Sequence, residues 1–216
     1  MTGIFKPGDD EGSSDQPDFE DSPESVMFST AFAGFGVDPS LLVPWEARAV
    51  EIGAKRMGSE HGAQLLQAAW VNDKSMSGLD QASIGSLARF FDFANVAGNR
   101  DLIRQDEYGN FMVVLLTGTI AVDRVQPWGE RLRLAETRAG DILGEMSLLD
   151  SGIRFSTCTS LDDCQVAVLS AEGMDEMMDA APKLAASLIA LLARKLSLRL
   201  RVVSARLSDS KPAPTK

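Results

Sequence analysis

The sequence predicts an α+β protein in which an antiparallel, jelly-roll-like double-stranded β-roll lies between N-terminal helices and a long C-terminal helix. Between residues 99 and 170, short apolar or alternating segments recur about every 8–12 residues with glycine-bearing turns between them, which is typical of antiparallel rolls. On both sides of this region the apolar residues return at helical spacing. No apolar run of ~18 residues occurs, so no membrane-spanning helix is expected.

Residues 1–25 are predicted to form a disordered acidic tail. They are rich in Asp, Glu, Ser, Pro and Gly, and they hold too few large apolar residues to offset the entropy of ordering. Residues 1–24 carry eight acids and one lysine, which accounts for −7 of the net charge of −10. The start of the chain also lacks the basic-then-apolar order of a secretory signal, so a cytoplasmic location is expected.

Residues 26–78 are predicted to be a helical extension with two short helices, one in PWEARAVEIGAKRM and one in EHGAQLLQAAWV. A third, amphipathic helix in LDQASIGSLARFFDF is expected to open the main domain at residue 79. Its apolar side would carry Ile84, Leu87, Phe90 and Phe91.

The strands expected in the middle of the chain are separated by recognisable turns. FMVVLL (111–116) is a continuous apolar run suited to a buried strand, and Gly118 ends it. TIAVDRV and RLRLAE flank the turn QPWGE, whereas STCTSL and QVAVLS flank the turn DDC. Cys158 and Cys164 fall in this last pair, and the chain has a single histidine, so we expect two reduced thiols and no metal site. The alternative is a disulfide across a hairpin.

From Ala171 the helical period returns, and Pro182 is expected to separate a short helix from a long one that ends at Leu207. Apolar residues cover two faces of the long helix, which predicts one face on its own domain and the other on a second copy in a homodimer. The alternative is a helix that lies wholly against its own sheet. Its six basic residues are interpreted as a solvated face and not as a DNA-binding surface. The predicted dimer contacts are Leu188, Leu191, Leu198 and Val202.

The segment GDILGEMSLLDSGIRFSTCT (140–159) carries the candidate site. Glu145 follows Gly144 and precedes Arg154, but no nearby histidine, Walker loop or GxGxxG accompanies them, so an enzyme is not predicted. A binding site fits the residue types better. Gly144 lets N–H groups approach an anion, Arg154 offers the anion a bidentate fork, and Glu145 suits a sugar hydroxyl. Together they indicate a nucleotide whose phosphate and ribose lie close together.

On these residues the sequence resembles the cyclic nucleotide-binding domain family, that of the bacterial catabolite activator protein and the regulatory subunits of cyclic AMP-dependent kinase. The resemblance covers about residues 79–207. It rests on Gly118, Gly140-Asp141, LGEMSL (143–148), Arg154 and the following Ser156-Thr157.

The resemblance implies a cyclic nucleotide as the ligand, with cyclic AMP first, and no cofactor. Family transcription factors continue into a DNA-binding domain, whereas here the long helix is followed only by a short flexible tail, SDSKPAPTK (208–216). We therefore expect a stand-alone sensor that signals to an unidentified protein partner and neither binds DNA nor inserts into a membrane.

The resemblance also implies a role for each candidate residue. Glu145 would accept the ribose 2′-hydroxyl beside the backbone of Gly144, and Arg154 would pair with the cyclic phosphate. Backbone N–H groups of Ser147 and Phe155 would assist Arg154, and the purine would lie near the long helix. The full ligand-binding set is Gly144, Glu145, Met146, Ser147, Arg154, Phe155, Ser156, Arg199 and Leu200.

Two positions depart from the family pattern. Phe155 replaces a small residue, and its ring either narrows the phosphate pocket or points to the opposite strand face. Arg199 stands where the family often has a hydroxyl, which leaves open the identity of the base and the use of a cyclic dinucleotide such as cyclic di-GMP. The competing interpretation is a degenerate pocket in which Glu145 and Arg154 pair with each other and the fold serves as a dimeric scaffold.

Overall fold

The computed structural model describes residues 28–71, 76 and 79–209, with side chains described to residue 205. The predicted acidic tail and most of the C-terminal tail lie outside the described residues. Helices come first in the described chain, and 3₁₀ turns occur at Pro39–Leu41 and Ala88–Phe90. The helices before the roll are α1 (Phe28–Gly34), α2 (Trp45–Ile52), α3 (Ser59–Val71) and α4 (Gln81–Leu87).

The strands form two antiparallel sheets, one in the order β1-β2-β9-β4-β7 and one in the order β3-β8-β5-β6. The strands are β1 (Lys55–Arg56), β2 (Asp92–Val96), β3 (Asp101–Ile103), β4 (Phe111–Thr117), β5 (Ile120–Val125), β6 (Arg131–Thr137), β7 (Ile142–Leu143), β8 (Thr157–Ser160) and β9 (Cys164–Ser170). The later helices are α5 (Glu145–Asp150), α6 (Ala171–Ala180) and α7 (Pro182–Asp209). The predicted fold class, a β-roll flanked by helices, is confirmed.

Two hydrophobic cores hold these elements together, and β4 contributes to both. One core lies inside the roll, and the other lies between the five-stranded sheet and the helices. Because both faces of β4 are buried, its sequence is continuously apolar and does not alternate. The roll core contains Phe111, Val113 and Leu115, and the helical core contains Met112, Val114 and Leu116.

The third predicted helix is shorter than its apolar pattern indicates. α4 ends at Leu87, and after the 3₁₀ turn the chain enters β2, which pairs with β9 from Asp92↔Val168 to Val96↔Cys164. Sequence analysis extended the helix through Phe93. The residues after Phe90 form a strand instead, because pairing with β9 satisfies their backbone groups where helical spacing alone favoured a helix.

The helical extension packs directly on the roll. Leu66 and Trp70 of α3 lie in the helical core, and the indole N–H of Trp70 donates to the carbonyl oxygen of Gly140 at 3.1 Å. Trp45 and Ile52 of α2 lie in the roll core. The extension therefore shares both cores with the main domain.

Cys158 and Cys164 are free and buried, as expected for reduced thiols. Burial raises the pKa of the Cys158 thiol to about 12 and that of the Cys164 thiol to about 11. Because the reactive form is the thiolate, both side chains are unreactive at neutral pH.

α7 divides into a proximal half (residues 182–192) and a distal half (residues 193–205). The proximal half lies in the helical core, where Leu188 and Leu191 are 0% and 3% exposed. These two leucines were predicted dimer contacts, and the structure corrects that prediction because α7 packs them against its own domain. In the distal half, Leu198 and Val202 are 53% and 51% exposed. Among the described residues, no helix is both long enough and apolar enough to cross a bilayer.

Candidate functional site

A tight turn at Gly144 starts the candidate site. Gly144 precedes α5 with a φ of 74°, in the left-handed region that favours glycine. A Cβ at this position would lie 2.6 Å from Nη1 of Arg154 and 2.7 Å from Cδ1 of Ile103. The turn therefore needs glycine for its conformation and for the close approach of the guanidinium, and it places Glu145 in the first turn of α5.

Arg154 is buried, at 2% exposure, in a setting made of carbonyl oxygens. Its Nη1 donates to the carbonyl oxygen of Gly144 at 2.8 Å, and its Nη2 donates to that of Phe111 at 2.7 Å. The guanidinium carbon lies 4.5 Å from the centre of the Phe111 ring. Over the described part of the chain, Arg154 forms no salt bridge with a carboxylate. A buried cation held only by dipoles is electrostatically suited to an anion.

Burial lowers the pKa of Arg154 to about 10. The guanidinium nevertheless keeps its proton at neutral pH, because this value is well above 7. The charge is therefore present in the site at neutral pH without a carboxylate that forms a salt bridge with it.

Gly109 also belongs to the site, and it lies in the segment DEYGN (106–110) directly before β4. A Cβ on Gly109 would lie 2.8 Å from both Nε and Nη2 of Arg154. A larger residue would therefore displace the guanidinium. Nothing local in DEYGN indicates this contact, because Arg154 approaches from a distant part of the chain.

Glu145 is buried, at 4% exposure, and it pairs with Arg199 of α7 and not with Arg154. Nη1 of Arg199 contacts Oε1 of Glu145, and Nη2 donates to the carbonyl oxygen of Ile142 at 3.2 Å. The ion pair between Glu145 and Arg154 that a degenerate pocket would contain is not formed. The site holds its two opposite charges separately, and Arg199 ties the distal half of α7 to it.

The ring of Phe155 stacks on Arg124 of β5 and is 50% exposed. The guanidinium carbon of Arg124 lies 4.0 Å from the ring centre, and Nη1 of Arg124 donates to the carbonyl oxygen of Phe155. Sequence analysis had not identified Arg124. The aromatic partner of the Arg154 guanidinium is Phe111, so the Phe155 ring is held away from it by a separate cation.

The remaining predicted ligand residues differ in exposure. Ser147 is buried at 1% exposure and Ser156 is half-buried, so both lie on the interior side of the site. Met146 is 43% exposed. Leu200 is 67% exposed, since one helical step of about 100° from Arg199 turns it towards solvent. The structure therefore does not bring Leu200 into the site.

Helix α2 reaches the site through one aromatic contact. The rings of Trp45 and Phe111 meet edge to face, with centroids 5.6 Å apart and planes at 61°. Phe111 also contacts the guanidinium of Arg154. A packed series of three side chains therefore connects the helical extension with the candidate phosphate-binding arginine.

A charged network connects the same two regions. Arg48 of α2 is buried, at 1% exposure, and pairs with Glu51 at 2.6 Å and with Glu107. The carbonyl oxygen of Glu107 accepts a hydrogen bond from the backbone N–H of Arg154 at 2.7 Å. The loop that carries Glu107 is thus held between α2 and Arg154. Sequence analysis did not identify Arg48, which lies in another helix far away in the chain.

Comparison with known proteins shows similarity to one family over the middle of the chain. The family model of the cyclic nucleotide-binding domain matches residues 95–181. The cyclic AMP receptor protein of Thermus thermophilus is 30% identical over 97 residues, which is 45% of each chain. A CRP-like cAMP-activated global transcriptional regulator of Mycobacterium tuberculosis is 21% identical over 119 residues, 55% of this chain and 53% of its own. The chain thus spans about half the length of the curated relatives it matches.

A solved structure of a cyclic nucleotide-binding domain from Methylobacillus flagellatus KT superposes with a TM-score of 0.66. It is 21% identical, and the match covers 75% of this chain and 92% of that one. At this identity the likeness establishes the fold. The family match extends from β2 to the end of α6 and includes both Glu145 and Arg154. Residues 95–181 therefore match the cyclic nucleotide-binding domain family, and the rest of the chain lies outside that match.

Proposed function

We propose that this protein is a receptor for a cyclic mononucleotide, with cyclic AMP first, and that it has no catalytic activity. The observation that carries the proposal is the buried guanidinium of Arg154, which is bonded to carbonyl oxygens and forms no salt bridge within the described chain. A cyclic phosphate would supply the missing anion, and the fork of Arg154 suits its oxygens. The names of the two curated relatives, a cyclic AMP receptor and a cAMP-activated regulator, favour cyclic AMP.

In this proposal, Glu145 accepts the ribose 2′-hydroxyl. The ligand must then share Glu145 with Arg199 or displace Arg199 from it, since the two side chains are paired. Because Arg199 belongs to α7, either outcome changes the contact that holds the distal half of that helix. A ligand with different affinities for the two arrangements shifts their populations, and this shift is the signal.

The signal would leave through the distal half of α7 in a homodimer that acts on a protein partner. Leu198 and Val202 are half-exposed apolar residues on this half, and they remain from the predicted dimer set once the two buried leucines are removed. Large exposed apolar side chains on a projecting helix are typical of a protein interface. We therefore assign the proposed dimer contact to these two residues.

Calorimetric titration of the full chain with cyclic AMP, cyclic GMP and cyclic di-GMP tests the proposal. We expect saturable binding of cyclic AMP and an affinity at least about 100-fold lower for Arg154→Ala, since a charge-assisted bidentate contact is worth ~3 kcal/mol. Arg154→Lys keeps the positive charge but loses the bidentate guanidinium. Its affinity for cyclic AMP should lie between those of the wild type and Arg154→Ala. Arg138→Ala, which removes an exposed arginine, is the matched control and should bind normally.

Three results would contradict the receptor. Absence of heat with all three nucleotides at high micromolar concentration would favour the second candidate, a dimeric scaffold. That scaffold also predicts a dimer unaffected by Arg154→Lys. Binding of cyclic di-GMP that is tighter than binding of cyclic AMP and cyclic GMP would mean that the ligand is a cyclic dinucleotide and not a cyclic mononucleotide. Chromatographic detection of a hydrolysed nucleotide after incubation would show catalysis.

A further inference from the structure

The distal half of α7 exposes cations and apolar groups side by side. Arg194 and Arg201 lie seven positions apart, about two helical turns, and so share one face. Leu198 and Val202 lie in the adjoining row, and all four side chains are exposed. In the described part of the chain, neither Arg194 nor Arg201 forms an ion pair. We name this surface the basic-apolar face.

Other clusters of arginines in the molecule are already neutralised. Arg131 and Arg133 pair with the buried carboxylate of Asp123 at 2.9 Å and 2.5 Å. On α2 and the neighbouring loop, Arg48 and Arg104 share the carboxylate of Glu51. The basic-apolar face therefore differs from these clusters, since its cations are left for an acidic partner.

The chain carries a segment of the complementary chemistry. Residues 15–24, DQPDFEDSPE, hold five acids, no base and a single aromatic residue, Phe19. Asp18 and Glu20 lie on either side of Phe19 in the sequence, so the segment, like the face, places charged groups beside an apolar group. We propose that this acidic segment docks on the basic-apolar face, with Phe19 against Leu198 and Val202 and its carboxylates towards the two arginines.

The attachment point of the segment lies close enough for this contact. The backbone N–H groups of Phe28 and Ser29 donate to the carboxylate of Asp175 at 2.6 Å and 2.9 Å, which fixes the start of the described chain on α6. α6 packs against α7. From Phe19 to Phe28 the chain spans about 30 Å when extended. The stretch of α7 from Pro182 to Arg201 is about 28 Å long, so the extended segment is about as long as the part of α7 that it would have to follow.

Docking would place the acidic segment in competition with a second copy of the chain, because Leu198 and Val202 are also the proposed dimer contacts. The competition rests on the proposed function, whereas the docking does not. The contact is held mainly by attraction between the carboxylates and the arginines. The fraction of chains with the segment docked should therefore fall as the salt concentration rises. The segment and a second copy of the chain would thus compete for the same two apolar side chains.

Paramagnetic relaxation in the full chain, without nucleotide, tests the docking. Ser22→Cys carries a nitroxide, and the native cysteines are 2% exposed and remain unlabelled. We expect amide signals of residues 194–203 to lose more than about half of their intensity at low salt and to recover near 0.5 M NaCl, where the Debye length is ~4 Å. Arg194→Glu with Arg201→Glu should abolish the effect. Arg100→Glu with Arg138→Glu carries the same change of charge and should leave it intact.

The result that overturns the proposal is broadening that is absent from α7, centred elsewhere, or insensitive to the Arg194 and Arg201 changes. A sample that mixes labelled, unenriched chains with unlabelled, ¹⁵N-enriched chains separates the two possible sources. Broadening of residues 194–203 in this mixture that matches the broadening in the fully labelled sample would assign the face to a neighbouring copy and overturn the proposal. Failure of nucleotide binding has no effect on this experiment, which contains no nucleotide.

Discussion

The two halves of α7 have similar apolar residues and opposite environments. Leu188 in the proximal half is fully buried, whereas Leu200 in the distal half is 67% exposed. What differs is the surface beneath the helix: α6 and the helical core support the first half, and α5 contacts the second half through Arg199. A leucine that stays exposed lacks the ~1.5–3 kcal/mol of stabilisation that full burial of its side chain would give. The proximal half therefore stabilises the fold, whereas the distal half leaves its apolar side chains exposed to solvent.

Truncation of a core leucine gives the largest expected difference between the halves. Leu188→Ala should lower the free energy of unfolding by ~2–5 kcal/mol, because it removes buried methyl groups and leaves a cavity. Leu200→Ala removes the same atoms from solvent and should change it by less than ~0.5 kcal/mol. Urea denaturation of both variants measures the difference. Equal losses would mean that the distal half is as well packed as the proximal half.

The ion pair between Arg199 of the distal half and Glu145 of the site gives the next largest effect. Arg199→Ala should cost ~1–3 kcal/mol, since it leaves the buried carboxylate of Glu145 without its cation. A double-mutant cycle with Glu145→Gln should recover part of that loss. Arg201→Ala, two positions further along the helix, should cost less than ~0.5 kcal/mol. Urea unfolding of the four variants provides the values, and a coupling energy of zero would show that the pair is not energetically formed.

A charge on the exposed apolar row should affect assembly more than folding. Leu198→Asp should raise the dissociation constant of the proposed dimer at least about tenfold, which is ~1.4 kcal/mol. The free energy of unfolding of the monomer should change by less than ~0.5 kcal/mol, because Leu198 is half-exposed. Analytical ultracentrifugation over a concentration series measures the first value, and dilute-solution denaturation measures the second. A wild-type monomer at high concentration would remove the homodimer from the proposal.

The roll could be predicted from the sequence because turns and alternation are local signals. Gly118 and the turn at QPWGE separate strands that the structure confirms. The strand β2 could not be predicted, since its backbone is satisfied by β9, about seventy residues away. The burial of Leu188 and Leu191 could not be predicted from the sequence either. Helical periodicity shows that two faces are apolar, but it does not show which of them meets the sheet.

In the candidate site, too, local features could be predicted from the sequence and long-range contacts could not. Gly144, Glu145 and Arg154 carry a local signal because their residue types and spacing are unusual together. The partner of Glu145 could not be predicted, because the pair joins α5 to a side chain that had been assigned to the purine. Gly109, Phe111 and Arg48 surround or support Arg154 from distant segments, and nothing in their own sequence neighbourhoods indicates it.

The packed side chains of Trp45, Phe111 and Arg154 determine how short a fragment can be if it is to keep the candidate site intact. Excision of the family-matched residues 95–181 would uncover one side of the Phe111 ring and leave Glu107 without Arg48. It would also remove the cation of Arg199 from Glu145. The boundary of the physical unit therefore lies well outside the boundary of the family match, and a fragment that keeps the candidate site has to begin before α2 and continue past Arg199.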